Sequence, residues 1–84
     1  RNLPNIPAFM EHIVNITYSN HAKIQKVKRD IHDEEVSDCL SQWDTRHTDK
    51  KGNPVFRKTL NSGRGIKVVV AKDNEWYIIT VADY

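Results

Sequence analysis

The chain has one cysteine, Cys39, among its 84 residues. A single thiol excludes an internal disulfide framework and any zinc site built on paired cysteines. There is no apolar run near the roughly 20 residues that span a bilayer, and no signal peptide is visible within these residues. A Walker-type phosphate loop, a nucleophile elbow and a His-Glu-x-x-His pair are all absent, which removes the commonest nucleotide, hydrolase and metalloprotease signatures. There is no internal repeat and no low-complexity segment. What is present is globular: 38% hydrophobic and 29% charged residues argue against a disordered tail. Eighty-four residues make a single domain, 1–84, with a limited core. The net charge of +2 permits an anionic partner without requiring one. The chain opens on Arg1 rather than Met, which reads as a piece of a longer protein.

The last third carries the clearest pattern. Val55–Leu60, Ile66–Ala71 and Trp76–Val81 are rich in β-branched and aromatic residues and are separated by turn-forming breaks. They predict an antiparallel meander with Ile66–Val70 at its centre. Alternation places Trp76, Ile78 and Thr80 on one face, and Tyr77, Ile79 and Val81 on the more continuously buried one.

Upstream, residues 1–7 hold Pro4 and Pro7 and read as a lead-in. A helical turn near 7–13 and an extended segment near 14–18 are expected. Ser19 or Asn20 caps a helix running to about Arg29, with Ile24, Val27 and Ile31 as its apolar stripe. His32 or Asp33 opens a second helix. Glu34 and Glu35 suit its positive end, and Val36, Cys39, Leu40 and Trp43 follow the helical spacing. Asp44–Asn53 is polar and reads as an exposed loop. The fold class is therefore α+β: N-terminal helices on a small antiparallel sheet of three to four strands.

The residue types left for chemistry are His, Arg, Lys, Thr, Ser and Tyr. They suit metal-free cleavage of RNA. The 2′-OH is itself the nucleophile there, and the protein supplies a base, an acid and positive charge. His21, at a helix start, is the first candidate. The plain alternative is a surface or capping histidine. Thr80 can hold a phosphate beside Arg57 and Lys67 if the register brings them together. Arg57, Arg64, Lys67 and Lys28 can line an RNA groove, or merely solubilise. Trp76 and Tyr18 can stack on a base or pack at an edge. Cys39, within an apolar stripe, reads as core. His47 and His32 read as an exposed-loop and a helix-junction histidine.

Three sets of residues resemble a family. They are Tyr18-Ser19-Asn20-His21-Ala22, then Arg29-Asp30-Ile31-His32-Asp33-Glu34-Glu35-Val36, then Gly65–Val70 with Tyr77–Val81. The pattern is similar to the small domains of the barnase/EndoU/colicin/RelE-like (BECR) superfamily. Members are often C-terminal toxin cartridges of bacterial contact-dependent growth inhibition and polymorphic toxin systems. The resemblance spans about Tyr18 to Val81, and the chain's start at Arg1 and stop at Tyr84 suit such a cartridge. It implies a metal-independent endoribonuclease without cofactor, acting on tRNA and leaving a cyclic phosphate. It implies a cognate immunity protein as partner, room for a host activating factor, and no membrane binding by this domain. It also implies secretion within a larger protein and delivery to a target-cell cytoplasm.

By the resemblance, His21 is general base or acid, Arg29 a phosphate ligand or structural pin, and Thr80 a phosphate-orienting hydroxyl. Arg57 is added from strand phase as transition-state cation. Lys28, Arg64, Lys67 and Trp76 are substrate contacts. Where relatives often carry two arginines in the first helix, this chain has Lys23 and Gln25. Lysine keeps the charge but loses the bidentate fork. Two other readings stay open: the mRNA-cleaving toxin of a toxin–antitoxin pair, and a non-catalytic RNA-binding or protein-interaction module.

Overall fold

The β-branched runs of the C-terminal third do form a meander, within a larger sheet. The computed structural model describes residues 16–84. In chain order these form β1 (Thr17–Tyr18), α1 (Asn20–Arg29), α2 (Asp33–Ser41), β2 (Thr45–Thr48), β3 (Pro54–Thr59), β4 (Gly65–Ala71) and β5 (Asn74–Asp83). The sheet order is β1-β5-β4-β3-β2, so β4 lies at the centre as its apolar run predicts. The fold class is α+β, with five strands rather than three to four. The sheet is mixed rather than purely antiparallel, because β1 pairs parallel to β5. The expected lead-in at 1–7 and helical turn at 7–13 lie outside the described residues.

One face of the sheet carries the core. Ile66, Val68 and Val70 of β4 and Ile78 and Val81 of β5 are buried against Val36 and Cys39 of α2, with Ala22 and Ile31. Each fully buried aliphatic side chain contributes about 1.5–3 kcal/mol. Phase along β5 departs from simple alternation. Val69 pairs with Thr80 but Val70 pairs with Ile78, so a bulge falls at Ile79. Ile78 and Val81 therefore share the core face, and Thr80 turns to the other. The grouping of Thr80 with Ile78 is corrected by that one extra residue.

α1 does not lie as its apolar spacing predicts. Ile24 is 64% and Val27 84% exposed, whereas Ala22 is fully buried. The helix continues from β1 along the otherwise open edge of β5. The Ser19 backbone N–H donates to Ile78 O (2.9 Å), and its hydroxyl donates to Ile79 O (2.9 Å). The Val81 N–H donates to Gln25 Oε1 (3.3 Å). Arg29 Nη1 lies 3.7 Å from Asp83 Oδ2. A small residue and polar side chains suit contact with strand-edge backbone, where a larger aliphatic side chain would hold the helix off. Ile31 is buried as expected, but past the helix end.

The helix boundaries follow local chemistry. Ser19 Oγ accepts the Ala22 N–H at 3.0 Å as the N-cap of α1. Asp30, in the left-handed region at φ 54°, ends it. At α2 the His32 N–H donates to Glu35 Oε1 (2.9 Å), half of a capping box. α2 ends at Ser41, so Trp43 falls outside it, 45% exposed, with its ring centroid 6.3 Å from that of Phe56. The supposed loop 44–53 contains β2, an exposed strand that pairs from Thr45↔Arg57 to Thr48↔Pro54.

The two helices are joined at Asp33. Its carboxylate accepts from Tyr18 Oη (2.7 Å) and from Lys26 Nζ, which also sits 4.2 Å from the centre of the Tyr18 ring. The Lys26 hydrogen bond holds Asp33 below the usual carboxylate range. Burial, then the Asp33 carboxylate, push the Tyr18 phenol up. A carboxylate whose folded pKa lies below its unfolded value of about 3.9 stabilises the fold above that pH. The contribution is lost as pH falls through the folded value. The pair is partly exposed (21% and 47%), so screening keeps it small. Asp33→Asn is expected to cost about 1 kcal/mol in urea unfolding near neutral pH. The difference from the parent should shrink toward zero in strong acid; a gap that persists there would mean that packing, not charge, carries the effect.

Candidate functional site

The register assembles a second, cationic face from residues far apart in the chain. Directly opposed residues of an antiparallel ladder share a face. Thr45, Arg57, Lys67 and Ala82 therefore form one row across β2, β3, β4 and β5. His47, Val55, Val69 and Thr80 form the next. Thr59 and Gly65 begin a third, which Tyr84 completes through its N–H to Gly65 O (3.1 Å). No acidic side chain occurs in these rows. Val55 and Val69, in the second row, are buried, so the centre of this face is apolar and the cations lie around it.

Arg57 and Lys67 are immediate cross-strand neighbours. Thr80 is diagonal to Lys67 and His47 is diagonal to Arg57, each about 7–8 Å away for such positions. The sequence thus places Arg57, Lys67 and Thr80 together, and the bulge at Ile79 is what turns Thr80 toward them. The Arg57 guanidinium carbon lies 5.3 Å from the Tyr84 ring centre. Arg57 Nε is out of reach of solvent and, among the described residues, without a hydrogen-bond partner. A buried N–H left unpaired costs about 1–3 kcal/mol, more when charged. An anion that meets it once the side chain swings outward removes that cost.

Gly65 is what lets Tyr84 approach. A Cβ at that position would stand 2.8 Å from Tyr84 O and 3.3 Å from its ring. Tyr84 and His47 were missed in the sequence. Tyr84 lies beyond the last apolar run, and His47 sits in a segment too polar to read as strand. The only available signal was their period-two phase with Arg57, which needs the register to be known.

His21 belongs to the edge of this face. Along α1, Gln25 comes level with Val81 and Arg29 with Asp83. His21, one turn before Gln25, is then axially level with Ile79, beside Thr80. Lys26 turns toward α2, so the Gln25 and His21 flank is the one away from α2 and nearer the cationic face. His21 is exposed.

The other candidates are placed differently. Arg64 is a pin: Nε donates to Asp83 Oδ1 (2.9 Å), Nη1 to Asp30 O (2.8 Å) and Nη2 to Arg29 O, with Glu35 at 3.8 Å. The Asp83 hydrogen bond raises its already high pKa. With these donors engaged, its geometry favours tying α1, α2 and β5 together over contacting substrate. Arg29 beside Asp83 fits the pin rather than the phosphate ligand. Lys28 lies about 20° around α1 from His21 and nearly two turns further along, where it borders the outer depression. Trp76, partly buried, is four residues along β5 from Thr80, roughly 13 Å. Cys39 is core as expected: it is fully buried, its Sγ donates to Phe56 O (3.5 Å), and burial pushes its thiol up to about 12.

Two clefts elsewhere carry the opposite character. One of about 390 Å³ is lined by Glu34, Glu35, Asp38, Leu60, Asn61 and Ser62. Another, of about 400 Å³, lies at the junction of the helices and includes Asp30, Asp33 and Glu34. Their carboxylates repel phosphate, so neither competes with the sheet face as an anion site. Among the described residues no group of three His, Cys, Asp or Glu side chains is placed to hold a metal ion, and no helix is long and apolar enough to cross a membrane. No protein-family model matches the chain, and neither a curated protein nor a solved structure matches it.

Proposed function

We propose that this domain is a metal-independent endoribonuclease that takes single-stranded RNA across its cationic sheet face. The observation that carries the reading is Arg57. Among the described residues its Nε–H is buried and unpaired beside Lys67, on a face whose rows hold no acidic side chain. A phosphodiester supplies the acceptor that this donor lacks. Lys67 adds charge, Thr80 offers a hydroxyl, and the exposed Tyr84 ring offers a stacking surface for a base.

In the reaction, the ribose 2′-OH attacks phosphorus as a base removes its proton. The P–O5′ bond breaks, the 5′ oxygen takes a proton, and a 2′,3′-cyclic phosphate remains. His21 is the acid or base, and Arg57 and Lys67 neutralise the charge that develops on the phosphorane. The BECR-like resemblance supports the same reading. It adds tRNA as substrate, a toxin's delivery to a target-cell cytoplasm and a cognate immunity protein.

The test is total bacterial RNA incubated with the purified domain in excess EDTA, then resolved on a denaturing gel probed for tRNA. Discrete fragments ending in a cyclic phosphate are expected. Arg57→Ala should lower the rate about 100-fold, the scale of losing one charge-stabilising donor. Arg57→Lys should recover only part of it, since lysine lacks the planar fork. Intact RNA that nevertheless shifts in a binding assay would make the face a binding module instead. Intact RNA with no shift would remove RNA from the account.

A further inference from the structure

α1 presents two opposite sides. Toward the sheet it turns Ala22, Gln25, Lys26 and Arg29, through the contacts to Val81, Asp33 and Asp83 described above. At about 100° per residue, Lys23, Ile24, Val27 and Lys28 centre about 180° away. These four residues line a shallow depression of about 440 Å³ on the outer side of the helix. Ile24 and Val27 are the most exposed aliphatic side chains among the described residues, at 64% and 84%. They are three apart, the spacing of an anchor pair on one helical stripe.

Neither residue is needed to hold α1 in place. The helix is fixed by its N-cap, by Gln25, Lys26 and Arg29, and by Arg64 at its C-terminal carbonyls. A single exposed aliphatic needs no explanation, but this pair lines one depression together with two lysines, which makes it a candidate contact surface.

The charges beside the pair say of what kind. α1 contains Lys23, Lys26, Lys28 and Arg29 and no acidic residue. Lys26 is bound to Asp33, and Arg29 is near Asp83. Lys23 and Lys28 have no partner among the described residues and bracket Ile24 and Val27 as i, i+4 neighbours. We infer that the outer side of α1 is a docking surface for an acidic protein whose face carries apolar side chains flanked by carboxylates. Ile24 and Val27 enter the partner's apolar centre, and Lys23 and Lys28 meet carboxylates at its rim. Such a patch is the anchor of a larger interface rather than the whole of it. An aliphatic pair has no stacking face to offer a base and no acceptor for a 2′-OH, which disfavours RNA here. The docking is independent of whether the sheet face cuts RNA.

The probe is an amphipathic helical peptide with a leucine stripe flanked on both sides by glutamates. It is titrated into the domain carrying ¹³C-labelled isoleucine and valine methyl groups. Saturable shifts centred on the Ile24 and Val27 methyls are expected, weakening as salt rises. The double variant Lys23→Glu/Lys28→Glu should weaken the affinity at least about tenfold, as should Ile24→Ala/Val27→Ala. Both pairs are exposed, so the remaining methyl spectrum should be unchanged and loss of fold is distinguishable from loss of binding. Shifts centred elsewhere, or none up to millimolar peptide, would overturn the inference. Shifts of these methyls with protein concentration alone would overturn it in favour of a second copy of this chain. The same shifts from a short single-stranded RNA and not from the peptide would overturn it in favour of nucleic acid.

Discussion

His21→Ala is expected to lower RNA cleavage by about 10²–10⁴-fold, the usual contribution of a positioned general acid or base. The fold should be unaffected, because His21 is exposed and the helix start is held by Ser19, not by the imidazole. The informative comparison is His47→Ala. Two imidazoles flank the cationic face from opposite ends. His21 lies on α1, axially level with Ile79 along the β5 edge, and His47 lies on β2 in the same row as Thr80. Three strand spacings separate His47 from Thr80, about 14 Å. That is too far for the two histidines to serve one phosphorus atom together.

Cleavage centred on Lys67 and Thr80 should therefore tolerate His47→Ala with a change of only several-fold, arising from weaker RNA binding. Single-turnover rates and binding constants separate the two effects. If His47→Ala removes the rate and His21→Ala does not, the reacting phosphate sits at the β2 end of the face, and the helix-start histidine leaves the mechanism. A Thr80→Val variant gives an independent reading of the same question. It removes the hydroxyl at nearly constant volume and should impair catalysis only if the phosphate lies at the β5 end.

Much of this arrangement follows from short-range chemistry. Ser19, and His32 with Glu35, mark helix starts because their side chains satisfy backbone groups a turn away, a relation contained within four residues. β4 is legible as the central strand because it is apolar on both sides of its alternation, and Ile66, Val68, Val69 and Val70 are all buried. The features that define the site are of another kind. The bulge at Ile79 has no composition of its own, yet it decides which face Thr80 joins. β2 is polar and exposed, so its stability comes from ladder pairing with β3 rather than from burial, and hydrophobic patterning is silent about it. β1 is two residues long and pairs parallel to β5, sixty positions away. Ile24 and Val27 share a helical stripe, but α1 packs on a strand edge. There Ala22 and Gln25 make the contact and that pair is left outside, while Ile31, past the helix end, is buried.

That reversal has a direct thermodynamic consequence, carried by two isoleucines. Ile78 is fully buried in the core, on β5 against β4 and the helices. Ile78→Ala removes three carbons from a packed interior and leaves a cavity, at a cost of about 2–5 kcal/mol. For a domain of this size each kcal/mol lowers Tm by about 4–8 °C, so a fall of more than about 10 °C is expected. Total stabilities of 0.05–0.15 kcal/mol per residue imply roughly 4–13 kcal/mol here. The variant therefore loses a large share of that margin. Ile24→Ala changes the same residue type and raises helix propensity slightly. It should move stability by no more than about 0.5 kcal/mol in either direction. Had the apolar stripe of α1 faced the sheet, the two substitutions would cost comparable amounts. Urea unfolding of both variants, with the slope checked for constancy, distinguishes the cases. A loss above about 2 kcal/mol for Ile24→Ala would place that side chain in the core and would withdraw the outer side of α1 as a docking surface.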